Sequence, residues 1–179
     1  MVAWVVSGLL CAGCTSDAGL VLEGDPDLAG TYTAHEYGLG LRVRTGCGMT
    51  ETSLGVIASA YRNEGRYPAI GLWLKLDERP DRYVRAAGTY PLDPYLQASV
   101  YVRESQTDPS VALSGVLTLH ETIEIVVPVD AQTTIELAGA PVTLALEATA
   151  DDLELTGDLH LRRAPERDVS VTELTDCIP

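Results

Sequence analysis

Apolar and polar residues alternate with a period of two along most of the chain, the spacing of a strand with two different faces. Leu54, Val56, Ala58 and Ala60 share one side of a run; Ile70, Leu72, Leu74 and Leu76 share one side of the next. Leu96, Ala98, Val100 and Val102 lie opposite Tyr95, Gln97, Ser99, Tyr101 and Arg103. The pattern continues through Val111, Leu113, Leu117 and Leu119, then Ile123, Ile125, Val127 and Val129, then Val142, Leu144 and Leu146. It closes with Leu153, Leu155, Leu159 and Leu161, opposite Glu154, Thr156, Asp158, His160 and Arg162. Such strands are half-exposed, as in antiparallel sheets. Turn-forming clusters separate them at Asn63-Glu64-Gly65, Asp77 to Pro80, Pro91 to Pro94, Asp108-Pro109 and Asp151-Asp152. No stretch sustains a helical period. The pattern predicts an all-β domain of about eight to ten strands: an antiparallel β-sandwich, or alternatively a closed or partly open β-barrel, since spacing does not fix closure.

The first seventeen residues break this pattern. Val2 to Gly13 is uncharged and apolar, but far short of the ~20 residues that span a bilayer core. The run ends in Ala12-Gly13-Cys14, and polar Thr15-Ser16-Asp17 follow. A short apolar stretch before small residues is the form of an export leader. The segment resembles the signal peptide of a bacterial lipoprotein: Ala12, Gly13 and Cys14 match the lipobox, with Cys11 where leucine is usual. The resemblance implies removal of residues 1–13, lipid on Cys14 and a tether over residues 14–27; chain length and the lack of a clear linker favour a single β domain over residues 28–179. Within that tether, Leu20-Val21-Leu22 would alternatively open an edge strand. No Lys or Arg precedes the apolar run, which a start upstream of Met1 would explain. An ordinary cleaved leader and a buried N-terminal strand or helix are the other readings. Diacylation would anchor the chain firmly, at ~0.8 kcal/mol per buried methylene. Thr15 and Ser16 after Cys14, in place of the Asp that commonly retains lipoproteins in the inner membrane, imply sorting to the outer membrane.

Charge narrows the partners. The formal net charge is −14, and residues 1–14 contribute none of it. No basic cluster offsets it, which argues against nucleic-acid phosphates and against electrostatic docking on anionic lipid. The acidity serves mainly solubility. Of four cysteines, Cys11 and Cys14 belong to the leader, leaving Cys47 and Cys177. In an exported protein these two most simply form one disulfide, with free thiols the alternative. Closing so long a loop would stabilise by roughly 5 kcal/mol at most in the chain-entropy picture.

Candidate chemistry is sparse. Asp25, Asp27 and Glu36, with Gly30 between, fall at positions 1, 3, 12 and 6 of an EF-hand Ca²⁺ loop. Ala29 at position 5 supplies no side-chain oxygen and the flanks are not helical, so an acidic turn is the plainer account. His35, His120 and His160 match the count of a three-ligand zinc site, yet follow no zinc-binding motif, and the last two fall on polar strand faces. No nucleophile elbow or phosphate loop is present. Acid pairs such as Asp151-Asp152 or Glu121 and Glu124 carry no weight in a chain so rich in acids. The chain is therefore expected not to be an enzyme and to need no cofactor. Aromatic residues give the one binding hint. Trp73 shares a face with Lys75, while Tyr95 and Tyr101 share another strand's polar face with Arg103. Exposed rings with a polar rim suit sugars or peptides. The plainer account is that loops cover this face and make Trp73 part of a second apolar layer.

In the second half, Gly88-Thr-Tyr-Pro-Leu92, Ala98 to Arg103, Ser114 to Leu119 and Thr156 to Leu161 occur in that order. This layout resembles one recurring in secreted and lipid-anchored bacterial β-proteins, and implies fold and location only. The expected function is a non-catalytic, lipid-anchored cell-envelope protein acting as a binding or structural module. Its partners would be the membrane, through Cys14, and an envelope protein or glycan. The alternative is a β-barrel carrying a small apolar ligand; behind it stand a Ca²⁺-binding and a hydrolytic envelope protein. Intact-mass measurement of the protein from its host's membranes should show loss of residues 1–13, acyl mass on Cys14 and a gain of two hydrogens on reduction. An unmodified chain that retains its leader would contradict all three.

Overall fold

Period-two alternation becomes fourteen strands among the described residues. In chain order these are β1 (Leu20–Glu23), β2 (Gly30–Tyr32), β3 (Glu36–Gly46), β4 (Met49–Asn63), β5 (Arg66–Lys75), β6 (Asp77–Arg79) and β7 (Arg82–Arg85). They continue with β8 (Gly88–Leu92), β9 (Ala98–Arg103), β10 (Val111–Leu119), β11 (Ile123–Val126), β12 (Val142–Ala150), β13 (Leu153–Arg163) and β14 (Ser170–Leu174). The computed structural model describes residues 19–46, 49–63, 66–93, 97–126, 141–164 and 170–174. Cys14, Cys47, Tyr95 and Cys177 lie outside the described residues. The excess over the expected strand number comes chiefly from pieces of three to five residues, β1, β2, β6, β7 and β14, too short to display a sustained period of their own.

Eleven strands form one sheet in the order β14-β3-β4-β5-β9-β8-β10-β12-β13-β1-β2, and β11-β7-β6 form a second. Most pairings are antiparallel, as expected, but β13 and β14 both run parallel to β3, and β8 meets β9 in parallel. The large sheet also returns on itself. Arg162 and Arg163 of β13 pair with Glu36 and Tyr37 of β3, and β14 continues along the same strand opposite Gly40 to Arg44. Near the other end of β4, an isolated bridge joins Thr33, next to β2, to Tyr61. A sheet that meets itself at short seams is a partly open barrel; the same pairings describe a sandwich whose layers share corner strands.

The inward faces meet in one apolar cluster. Val56 and Leu74, Leu72 and Val100, Leu117 and Leu146, and Leu144 and Leu159 are cross-strand pairs within it, and all are buried. Leu20 and Leu22 also belong to it, with Val21 pointing outward at 40% exposure. The stretch read as tether thus contributes β1, held between β13 and β2, and the folded part begins before residue 28. β3 went unread because its outward positions are Gly38, Gly40, Arg42 and Arg44, which blur the alternation around Tyr37, Leu39 and Leu41. The β12–β13 hairpin turns at Asp151-Asp152, where Asp151 adopts φ 49°, a conformation Asp tolerates.

The small sheet is fastened to the large one by Arg85 of β7. Its side chain is buried; Nη1 donates to Asp77 Oδ1 (3.2 Å), Nη2 donates to Gln97 Oε1 (2.6 Å), and the guanidinium stacks 4.1 Å from the Tyr90 ring centroid. Tyr32 and Tyr37 fill the end of the core near the seams. Burial raises both phenols above their ordinary value, against the smaller opposing effects of Arg62 and Arg163 respectively. The Tyr32 hydroxyl donates to Leu28 O at 2.5 Å. Because the folded-state values are raised, their contribution to stability is complete below about pH 10, the ordinary tyrosine value, and declines as pH rises through the folded values. Thermal melts from pH 8 to pH 11.5 should therefore show a loss of melting temperature beginning above about pH 10. The double variant Tyr32→Phe/Tyr37→Phe should be less stable at pH 8 but flatter across the alkaline range.

Candidate functional site

The outward face of β4, β5 and β9 carries three cross-strand rows. They read Ile57–Trp73–Ser99, Ser59–Gly71–Tyr101 and Tyr61–Ala69–Arg103. Period two puts all nine residues on the side opposite Ile70, Leu72 and Leu74, and rows follow one another at ~6.7 Å along the strands. A groove of ≈ 350 Å³ runs over this face. Trp73, Tyr101 and Arg103 all line it, so three of the four residues expected to form a ligand face converge on one site. Tyr95, the fourth, lies outside the described residues.

Trp73 is covered rather than presented to solvent; it is 4% exposed. Neither of the two anticipated environments describes it fully, because a charged side chain covers it. The guanidinium of Arg42 lies 4.3 Å from the indole centroid. Beneath, the indole is pressed against Gly55: a Cβ there would stand 2.6 Å from Trp73 Cζ2 and 2.8 Å from Leu74 O. Arg42 starts from β3, and the cross-strand pair Gly40–Gly55 puts no side chain in its way. Its Nη2 donates to the buried Ser99 Oγ at 3.1 Å. Arg42 thus straps β3 across β4 to β5 and β9. Burial lowers its guanidinium from the ordinary value, with Tyr101 acting in the opposite direction; a guanidinium nevertheless stays charged. A desolvated cation–π stack of this kind contributes roughly 2 kcal/mol.

The accessible aromatic surface comes from the tyrosines. Tyr61 and Tyr67 meet edge to face, centroids 6.3 Å apart at 86°, and close one end of the groove. Tyr101 forms a flank beside Gly71. Arg103 is exposed and makes no ion pair among the described residues. The described lining contains no carboxylate, imidazole or thiol. Arg42, Gly55, Gly71, Tyr61 and Tyr67 were not picked out from the sequence. The outward alternation of Ser59 and Tyr61, and of Arg42 against Leu39 and Leu41, was the available signal.

The other candidates are not assembled. Asp25 accepts the Asp27 N–H at 2.8 Å and caps a tight turn. The backbone oxygens of Asp27 and Ala29 accept from Arg62 Nη1 at 2.8 and 3.0 Å, so a guanidinium occupies the carbonyl side of that loop. Glu36 starts β3. Among the described residues no three His, Cys, Asp or Glu side chains converge where a metal would sit, these acids and the three histidines included. His35, His120 and His160 are exposed, with His160 Nδ1 3.2 Å from Thr143 Oγ1. A larger depression of ≈ 690 Å³ lies on the outward face of β10, β12 and β13. Its charged residues are Glu147, Glu154 and Asp158, and it has neither an aromatic ring nor a cation to recognise a ligand.

No family model, curated protein or solved structure matches this chain.

The Arg42–Trp73–Gly55 stack makes two expectations. Gly55→Ala, which drives a Cβ into ring and backbone, should destabilise by roughly 1–3 kcal/mol, a drop in melting temperature of roughly 2–12 °C for a chain this size. Arg42→Ala should uncover the indole, shifting its emission to longer wavelength and raising acrylamide quenching. Trp4→Phe leaves Trp73 the sole tryptophan of the whole chain, so the readout is unambiguous.

Proposed function

We propose that this protein is a non-catalytic binding module of the bacterial cell envelope, anchored by lipid on Cys14 and binding its partner on the outward face of β4, β5 and β9. The observation that carries this reading is the groove itself, where Trp73, Tyr101 and Arg103 come together with Tyr61, Tyr67 and Arg42. The lining supports binding over catalysis. It offers flat rings, hydroxyls and guanidiniums, but none of the carboxylate or imidazole groups that general acid–base chemistry ordinarily uses. A carrier of an apolar ligand would need space inside the barrel. The described inward side chains instead pack into one continuous cluster, which favours the outer face as the place of recognition. Thr15 and Ser16 after the lipidated cysteine favour the outer membrane, and the net charge of −14 leaves attachment to the lipid rather than to surface electrostatics.

Two readouts test the proposal. Tritiated palmitate fed to the host should label the wild-type chain and not Cys14→Ala; absence of label from the wild type would overturn the anchor. The unlipidated Cys14→Ala protein should still co-sediment with washed envelope fragments, through the groove alone, and Tyr101→Ala in that background should weaken the binding about tenfold, the effect of truncating a central aromatic contact. Co-sedimentation indifferent to Tyr101 would overturn the groove as the binding face.

A further inference from the structure

Gly71 is a glycine without a local reason. It sits mid-strand in β5, paired to β4 through Ser59 and to β9 through Tyr101. Its φ lies outside the left-handed region, and a Cβ added there would meet nothing within 4 Å. Gly55, one strand away, is glycine because an indole rests on it; Gly71 has open space above it. A glycine inside a strand loses backbone entropy on folding and packs nothing, so a side chain here would favour the fold. The bare position is the centre of the groove, between Trp73 in one row and Ala69, flanked by Tyr61 and Arg103, in the next.

We propose that this slot receives the pyranose ring of an acidic sugar, lying over Gly71 with its carboxylate toward Arg103. The assignment rests on the reading of the groove as the binding face and names the ligand class. The volume of ≈ 350 Å³ lies at the lower end of the ~300–1,000 Å³ of small-molecule sites, which suits one or two rings. Ser59, Tyr61, Tyr67, Tyr101 and Ser110 bring five hydroxyl groups to the described lining, the complement of a polyhydroxylated ring with an apolar face. Two guanidiniums and no carboxylate among those residues select an anion. Arg103 offers the planar fork that matches a carboxylate. Charges farther away than the ~8 Å Debye length are largely screened, so a single carboxylate responds to the local guanidiniums, whereas a polyanion would reach past them to the acidic surface of a −14 molecule. An extended peptide is disfavoured because β5 is hydrogen-bonded on both sides and has no edge to offer a new strand.

Titrating the full-length Trp4→Phe protein with galacturonate and with galactose, read by Trp73 emission, tests the assignment. Galacturonate should bind about tenfold more tightly than galactose. Arg103→Gln should remove that preference, lowering the galacturonate affinity to that of galactose measured on the same variant. Gly71→Leu should abolish binding of both with a melting temperature equal to or above that of the parent. Equal affinities for the two sugars, or a preference that survives Arg103→Gln, would overturn the carboxylate assignment. Binding retained in Gly71→Leu, or no response to either sugar, would overturn the sugar slot. If neither sugar binds while co-sedimentation with envelope fragments still depends on Tyr101, the ligand class falls and the binding face stands. If that dependence is lost as well, both fall.

Discussion

Closure of the large sheet is the constraint on which the rest of the molecule depends. Once β13 returns to β3 through Arg162–Glu36 and Arg163–Tyr37, the inward positions of every long strand have to fill the same space. They do so with Leu, Val, Ile and Ala, plus Tyr32 and Tyr37 near the seams. Such a core leaves its polar side chains outside, and chemistry has to be built on the outer face. Closure at short seams, rather than along whole strands, also accounts for the two parallel pairings on β3: β13 and β14 successively follow it along one edge.

On that outer face, most of the β12–β13 surface is an ordinary solvated acidic one. The β4–β5–β9 surface is different because it carries a partial second layer. Trp73 lies flat on Gly55, Arg42 lies on Trp73, and Ser99 holds the guanidinium at 3.1 Å. The layer stops short of covering the sheet. At Gly71 nothing follows, and the tyrosines stand around the gap. A charge fixed by stacking and hydrogen bonding loses little freedom when a ligand arrives, which is the advantage of preorganised polar groups over flexible ones. Placing two guanidiniums at a groove in so acidic a chain gives the site a local sign opposite to that of the whole molecule.

Much of this was legible in the sequence, because one-sided burial writes itself directly into period two. The runs around Leu54 to Ala60, Ile70 to Leu76 and Leu153 to Leu161 point inward as read, and the outward set of Trp73, Tyr101 and Arg103 shares one face. Short strands such as β6 and β7 were not legible, since three or four residues cannot show a period. β3 was obscured because glycines and arginines alternate with its core residues, a composition that otherwise marks loops. Leu20 and Leu22 read as tether or as the start of an edge strand, and only tertiary pairing with β13 and β2 decides between the two. The burial of Trp73 depends on Arg42 and Gly55, contributed by two other strands, and no spacing along the chain encodes that contact. Gly71 was invisible for a related reason: whether a strand glycine is covered or bare is decided by its neighbours across the sheet.

Mapping backbone-amide NMR shifts during addition of galacturonate to the full chain tests the central claim most directly. The account predicts changes confined to residues 57–61, 69–73 and 99–103, with Gly71 among the largest, and little response from β12 and β13. Changes centred on the outward face of β10, β12 and β13, or no change at all at Gly71, would contradict it.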